Sequence, residues 1–140
     1  GMDYRLERLR QMDIYITPAD AAADCKLEKA FRELSIGADA KPRSFTVNGR
    51  EVEMPKTAEG VAYATFDDLC AQPLGPGDYL AFAETFHTVV MKNVPVMGPN
   101  NRNEAKRFVT LIDALYESRV KFICSAEVAP AELYTEGEGA

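Results

Sequence analysis

The chain has little of what most metal and catalytic sites require. It contains one histidine, His87, and three cysteines far apart in the sequence, Cys25, Cys70 and Cys124. A zinc site needs several imidazole or thiolate ligands at short spacings, which these residues do not provide. We therefore expect no metal site. An odd number of scattered cysteines is typical of reduced thiols in a cytoplasmic protein.

Long apolar runs and the common catalytic motifs are also missing. No window approaches the ~18 consecutive apolar residues of a membrane-spanning helix, so we expect no integral membrane segment. The sequence has no Gly-x-x-x-x-Gly-Lys-Ser/Thr phosphate loop, no Gly-x-Ser-x-Gly elbow and no His-Glu-x-x-His pair. These 140 residues alone therefore do not encode the chemistry that those motifs support.

Positive charge is scarce in the second part of the chain. The formal net charge is −6, from 16 basic and 22 acidic side chains. Residues 1–56 carry ten of each sign, whereas residues 57–140 carry six basic and twelve acidic side chains. An acidic surface repels phosphate backbones, so we expect no nucleic-acid partner.

The clearest positive signal is a βαβ unit over residues 86–134. Short apolar runs at 87–91 and 120–124 predict two strands, and Asn101 with Glu104 predicts a capped helix start between them. Two strands joined by a helix of this length pair in parallel. The helix has one apolar face, formed by Ala105, Phe108, Val109, Ile112, Leu115 and Tyr116.

The first part of the chain predicts a helix and a small antiparallel sheet. Thr17 followed by Pro18 is typical of a helix start. Asn48-Gly49, between alternating runs, predicts a hairpin over residues 44–54 with Phe45 opposite Val52. Residues 60–66 predict a third strand, and residues 78–86 a helix.

The expected fold class is α/β. We expect an N-terminal helix and a small antiparallel hairpin sheet in a lid-like subdomain, residues 1–65. An α/β subdomain over residues 66–140 follows, with a βαβ layer that contains a short parallel sheet.

Two groups of side chains could carry chemistry. Cys124 could act as a nucleophile with His87 as its base, but no third group is placed to orient the imidazole, and a cysteine on a central strand is usually inert. Arg102, Lys106 and Arg107 lie at a predicted helix start, where cations and the helix dipole could face one anion. Taken alone, the spacing favours ordinary surface charges for this second group.

A series of motifs runs through nearly the whole chain in undisturbed order. These are Gly1 to Leu6, Phe66 to Cys70, Pro73 to Gly75, Asp78 to Leu80, Phe86 to Thr88, Val94-Pro95, Asn103 to Phe108, Leu111 to Tyr116, Cys124 to Ala126, Pro130 and Leu133-Tyr134. Together they resemble the C-terminal region of ZapE-type AAA+ ATPases, which are bacterial cell-division ATPases with mitochondrial relatives.

The resemblance implies a fragment of an ATP-hydrolysing protein. The parent would bind ATP and Mg²⁺ through an upstream ATPase core, and this chain alone would hold no cofactor and would not hydrolyse ATP. Arg5, in the Asp-Tyr-Arg motif, and Arg107, in the Glu-Ala-Lys-Arg-Phe motif, become candidates for nucleotide sensing together with Arg102 and Lys106. Lys106 stands where relatives usually have arginine, which weakens that position.

An alternative is a non-enzymatic interaction module. The hairpin over residues 44–54, with Asn48, Gly49 and Arg50 at its tip, and the acidic second half could bind a protein client of unknown identity. A fragment of a larger protein could also expose apolar surface, so self-association is a further expectation.

Overall fold

One mixed six-stranded sheet forms the centre of the part of the chain that the computed structural model describes, residues 14–135. The strands run in the order β1-β6-β5-β4-β3-β2 across the sheet. Neighbours among β1, β6, β5 and β4 are parallel, and β3 and β2 are antiparallel additions. Their bounds are β1 Ile14–Ile16, β2 Lys41–Val47, β3 Arg50–Ala58, β4 Val61–Thr65, β5 Thr88–Val94 and β6 Lys121–Ala126.

Helices cover both faces of the sheet. On one face, α1 packs Leu27 and Phe31 against Val61, Val90 and Ile123. The other three helices lie on the opposite face, above the larger core. Because both faces are covered, strands β5 and β6 read as continuous apolar runs. The bounds are α1 Ala21–Leu34, α2 Phe66–Cys70, α3 Pro76–Thr85 and α4 Arg102–Glu117, with short 3-10 turns at Pro99–Asn101 and Pro130–Glu132.

The βαβ prediction is confirmed. Strands β5 and β6 are parallel neighbours, with Val89 opposite Phe122, and α4 connects them. A second parallel connection joins β4 to β5 through α2 and α3. The carboxyl ends of these strands therefore lie at one edge of the sheet, where α2 and α4 begin.

The hairpin between β2 and β3 is also confirmed. Asn48 and Gly49 have φ values of 50° and 79°, and Phe45 pairs with Val52. Positive φ at both turn residues matches the right-handed twist of the flanking strands. Strand β3 pairs with β4 only over residues 56–58, so its first part extends beyond the end of β4.

Two helix starts differ from the sequence prediction. Helix α1 begins at Ala21, three residues after Pro18, because the Asp20 side chain accepts a hydrogen bond from the Ala23 amide and caps it. Helix α4 begins at Arg102, and the Asn101 side chain accepts from the Gly98 amide instead of capping α4. The predicted Asn101–Glu104 capping box was therefore wrong.

The α/β fold class is confirmed, with a mixed sheet and helices on both faces. Strands from both sides of residue 65 belong to the same sheet, since β4 and β5 are paired neighbours. The division into subdomains 1–65 and 66–140 stays a prediction.

Candidate functional site

The basic start of α4, defined as Arg102, Lys106 and Arg107, does not point in one direction. Arg102 and Lys106 are exposed and stand one helical turn apart on the same face. Arg107 is partly buried, and its Nη1 donates to the Cys70 carbonyl oxygen at 3.1 Å. Arg107 thereby joins α4 to the last residue of α2, and only Arg102 and Lys106 are presented to solvent.

Acidic side chains accompany Arg107 at this contact. Burial raises the pKa of the Cys70 thiol, the Arg107 charge lowers it, and the charges of Asp67 and Glu104 raise it further. Both carboxylates are thus close enough to act on the same group as Arg107. The hydrogen bond to the Cys70 carbonyl suits a helix-joining role for Arg107.

Cys124 and His87 do not form a catalytic pair. His87 precedes β5, and Cys124 lies opposite Met91, four residues or ~13 Å further along the sheet. Cys124 is fully buried, and burial raises the pKa of its thiol. The His87 ring instead bonds the Glu59 carbonyl oxygen at 2.9 Å and the Thr88 hydroxyl at 2.8 Å. This arrangement does not support a nucleophilic role for Cys124, because burial disfavours the thiolate and the imidazole is distant.

The tip of the hairpin contacts the start of α3 and the loop before it. Arg50 donates through Nη1 to the Pro73 carbonyl oxygen at 2.6 Å and through Nη2 to the Asp78 carboxylate. The Asn48 amide nitrogen lies 3.3 Å from the point that a Cβ on Gly77 would occupy. Of the three predicted partner-binding residues, Asn48, Gly49 and Arg50, the side chain of Arg50 is thus already hydrogen-bonded within the chain.

A cavity of about 550 Å³ lies behind this contact. We call it the hairpin cleft. One wall is β3, where it extends beyond β4, and the other is α2 with the loop before α3. Such a volume is in the range of small-ligand and peptide-anchor sites. The lining residues are Arg50, Glu51, Val52, Glu53, Pro55, Asp68, Gln72, Pro73 and Leu74.

The sequence reasoning missed both the cleft and the contact between Arg50 and Asp78 at its end. Arg50 and Asp78 are 28 positions apart, and no local pattern pairs them. The difference in length between the nine-residue β3 and the five-residue β4 leaves part of β3 without a neighbour on that side, and the predicted strands over 44–54 and 60–66 did not show it.

Two further features bear on the site. Within residues 14–135, no group of three or more His, Cys, Asp and Glu side chains could hold a metal ion. None of the helices in that same range is long and apolar enough to cross a membrane.

The structure defines a three-layer α/β unit with a sheet edge partly open beside a cleft. The chain belongs to the AFG1-like ATPase family, which it matches over residues 1–140. The resemblance to a region of ZapE-type AAA+ ATPases is therefore confirmed. No solved structure matches the chain.

Two relatives illustrate the family match. Lactation elevated protein 1 homolog B of Danio rerio is 33% identical over 141 residues, covering 99% of this chain and 28% of the relative. Cell division protein ZapE of Escherichia coli strain K12 is 32% identical over 134 residues, covering 96% of this chain and 36% of the relative. The chain thus spans about a third of the length of these relatives.

Proposed function

We propose that these residues serve an AFG1/ZapE-type ATPase by sensing its nucleotide and by handling a protein client, and that they do not hydrolyse ATP alone. The family match over the entire chain carries this proposal. ATP and Mg²⁺ would be held by an ATPase core outside residues 1–140, because the sequence has no phosphate loop.

Arg102 and Lys106 are the described residues that best suit nucleotide sensing. Both are exposed at the first turns of a 16-residue helix, where the helix dipole adds to their charge. Arg107 would support them indirectly, through its hydrogen bond to α2. Arg5 remains a candidate, and it lies outside the described residues.

Substitutions in the full-length polypeptide that contains these residues test the nucleotide role. Arg102→Ala and Lys106→Ala should each slow ATP turnover, because phosphoryl transfer depends on charges placed at the phosphates. Arg5→Ala should do the same. Lys29→Ala, at an exposed position of α1, is the matched control. Turnover equal to that of the control would remove the substituted residue from the site.

A second candidate function is supported by the hairpin cleft. A cavity beside an open strand edge suits a non-enzymatic interaction module, in which residues 44–54 and the acidic surface bind a protein. Substitutions in the cleft that weaken client binding and leave ATP turnover unchanged would favour this candidate. The opposite pattern would favour nucleotide sensing.

The remaining parts of the proposal concern partners and location. We propose a cytoplasmic location, in keeping with the bacterial relative ZapE, and no nucleic-acid partner, in keeping with the net charge of −6. The upstream ATPase core would be the intramolecular partner. We also propose that the 140-residue chain self-associates. Light scattering over a range of concentrations tests this, and a monomer at every concentration would contradict it.

A further inference from the structure

The two backbone edges of the first part of β3 differ in their strand pairing. One edge pairs with β2 from Arg50 through Met54. The opposite edge has a strand partner only over residues 56–58, where β4 lies beside it. Residues 51–55 therefore face the hairpin cleft on this side, which we call the inner edge of β3.

The turn geometry determines which backbone groups the inner edge presents. In a two-residue hairpin, the residues flanking the turn exchange both hydrogen bonds, and alternate residues on each strand point away from the partner. Val47 and Arg50 flank the turn. Glu51 and Glu53 consequently direct their N–H and C=O groups toward the cleft, and Pro55 directs its C=O there.

The cleft, and not the number of backbone donors, distinguishes the two edges of the hairpin. Pro42 on the outer edge and Pro55 on the inner edge both lack an amide donor. Glu51 and Glu53 keep theirs on the inner edge, as Ser44 does on the outer edge. The inner edge is the one beside the hairpin cleft, where a strand of about five residues, or ~17 Å, could pair.

The cleft has an acidic character. Glu51, Glu53 and Asp68 line it, and the one cation in the lining, Arg50, is engaged by Asp78 and the Pro73 carbonyl. Pro73 and Leu74 supply apolar contacts on the opposite wall. This combination of free backbone groups, negative charge and an apolar wall favours an extended peptide with basic and aliphatic side chains.

We propose that the hairpin cleft binds an extended, basic segment of a protein client, which adds as a strand to the inner edge of β3. This deepens the client-handling part of the proposed function and names its site. Main-chain hydrogen bonds to Glu51 and Glu53 would supply affinity, and the acidic lining would select the client's charge.

The experiment uses the 140-residue chain and a capped eight-residue peptide of alternating valine and lysine. Binding is measured by fluorescence anisotropy and by amide chemical shifts, which should move at Glu51 and Glu53. Replacing the peptide's lysines by glutamates should weaken binding at least about tenfold. Methylating alternate peptide amides should abolish binding for one of the two possible sets and spare the other, because a strand pairs through alternate residues.

Two proline variants localise the binding edge. Glu53→Pro removes an amide donor on the inner edge without touching the ladder to β2, and should weaken binding about tenfold. Ser44→Pro removes an amide on the outer edge of the same hairpin and should leave binding unchanged, since Ser44 faces Glu53 across the ladder. Glu51→Lys with Glu53→Lys should weaken binding, whereas Glu33→Lys with Glu84→Lys, the same charge change outside the cleft, should not.

The results separate this inference from the nucleotide role. Equal binding of the lysine and glutamate peptides, or shifts confined to other residues, would overturn it. A larger effect of Ser44→Pro than of Glu53→Pro would do the same, because it would place the strand on the outer edge. Slow ATP turnover in Arg102→Ala would still support nucleotide sensing whichever result the peptide gives.

Discussion

The contact between Arg50 and Asp78 should stabilise the fold more than its exposure suggests. Asp78 is 2% exposed, and its Oδ2 accepts from Arg50 and from the Gly75 amide at 2.8 Å. Its Oδ1 has no hydrogen-bond partner within the described part of the chain. The Arg50 side chain is 49% exposed, and it also bonds Pro73. One ion of the pair is thus buried and the other is half in water.

The size of the effect follows from these two environments. Removing one partner of a fully buried pair costs about 3–5 kcal/mol, whereas an exposed pair contributes about 0–1 kcal/mol. Arg50→Met should lie between these limits, at about 2 kcal/mol, because water can reach part of the Asp78 site once the guanidinium is gone. Asp78→Asn keeps an oxygen for the Gly75 amide and loses the charge, so it should cost about 1–2 kcal/mol.

A double-mutant cycle in urea measures the pair directly. The double variant should cost less than the sum of the single variants, with a coupling energy of about 1–2 kcal/mol. Lys29→Met, which removes an exposed cation on α1, should change the free energy of unfolding by less than about 0.5 kcal/mol. A coupling energy no larger than the Lys29→Met effect would refute the reasoning, since the contact would then hold neither the hairpin nor the loop.

Three further predictions concern single positions. Gly49 and Gly60 both have a φ of 79°, but a Cβ on Gly60 would lie 2.6 Å from the His87 ring, whereas one on Gly49 would meet no atom within 4 Å. In urea unfolding, Gly60→Ala should therefore cost about 1–2 kcal/mol more than Gly49→Ala. Adding His87→Ala should remove the difference. Burial, and after it the charges of nearby carboxylates, raise the pKa of Tyr63 from 10.0 to about 12. As the pH rises, the unfolded state therefore loses the Tyr63 proton first, and the free energy of unfolding should fall between these two pH values. The fall, measured by urea unfolding, should be less steep in Tyr63→Phe. A thiol reagent added to the native protein should modify the exposed Cys25 and spare the two buried cysteines, and rapid modification of all three would contradict the described burial.

Local signals in the sequence were sufficient for most of the elements. The hairpin at Asn48-Gly49 needs only two residues that tolerate positive φ, and the apolar stripe of α4 needs only its own spacing. Where two local signals competed, the prediction failed. Thr17 and Asp20 are both good caps, and the structure uses Asp20 because its side chain reaches the Ala23 amide.

The candidate site was less accessible to such reasoning because it depends on contacts between distant segments. Arg107 is part of a cationic pattern in the sequence, yet its partner, the Cys70 carbonyl, lies 37 positions away. The inner edge of β3 is open because β4 is shorter than β3, and that property belongs to the register of the pair. The charge pattern thus grouped three cations at the start of α4, and only the packing separates Arg107 from Arg102 and Lys106.

Arg50 and the hairpin cleft are best understood together. An open strand edge beside a loop would normally be closed by the loop packing onto it, since unpaired backbone groups and apolar walls both favour contact. By holding the Pro73 carbonyl and Asp78 at the tip of the hairpin, Arg50 fixes the loop at one end and leaves the cleft behind it open. Arg50 would then affect client binding without touching the client. Arg50→Met should weaken binding of the basic peptide even though it removes a positive charge from an acidic cleft. If the role of Arg50 were purely electrostatic, the same substitution would make the peptide bind more tightly. The sign of that change decides between the two roles.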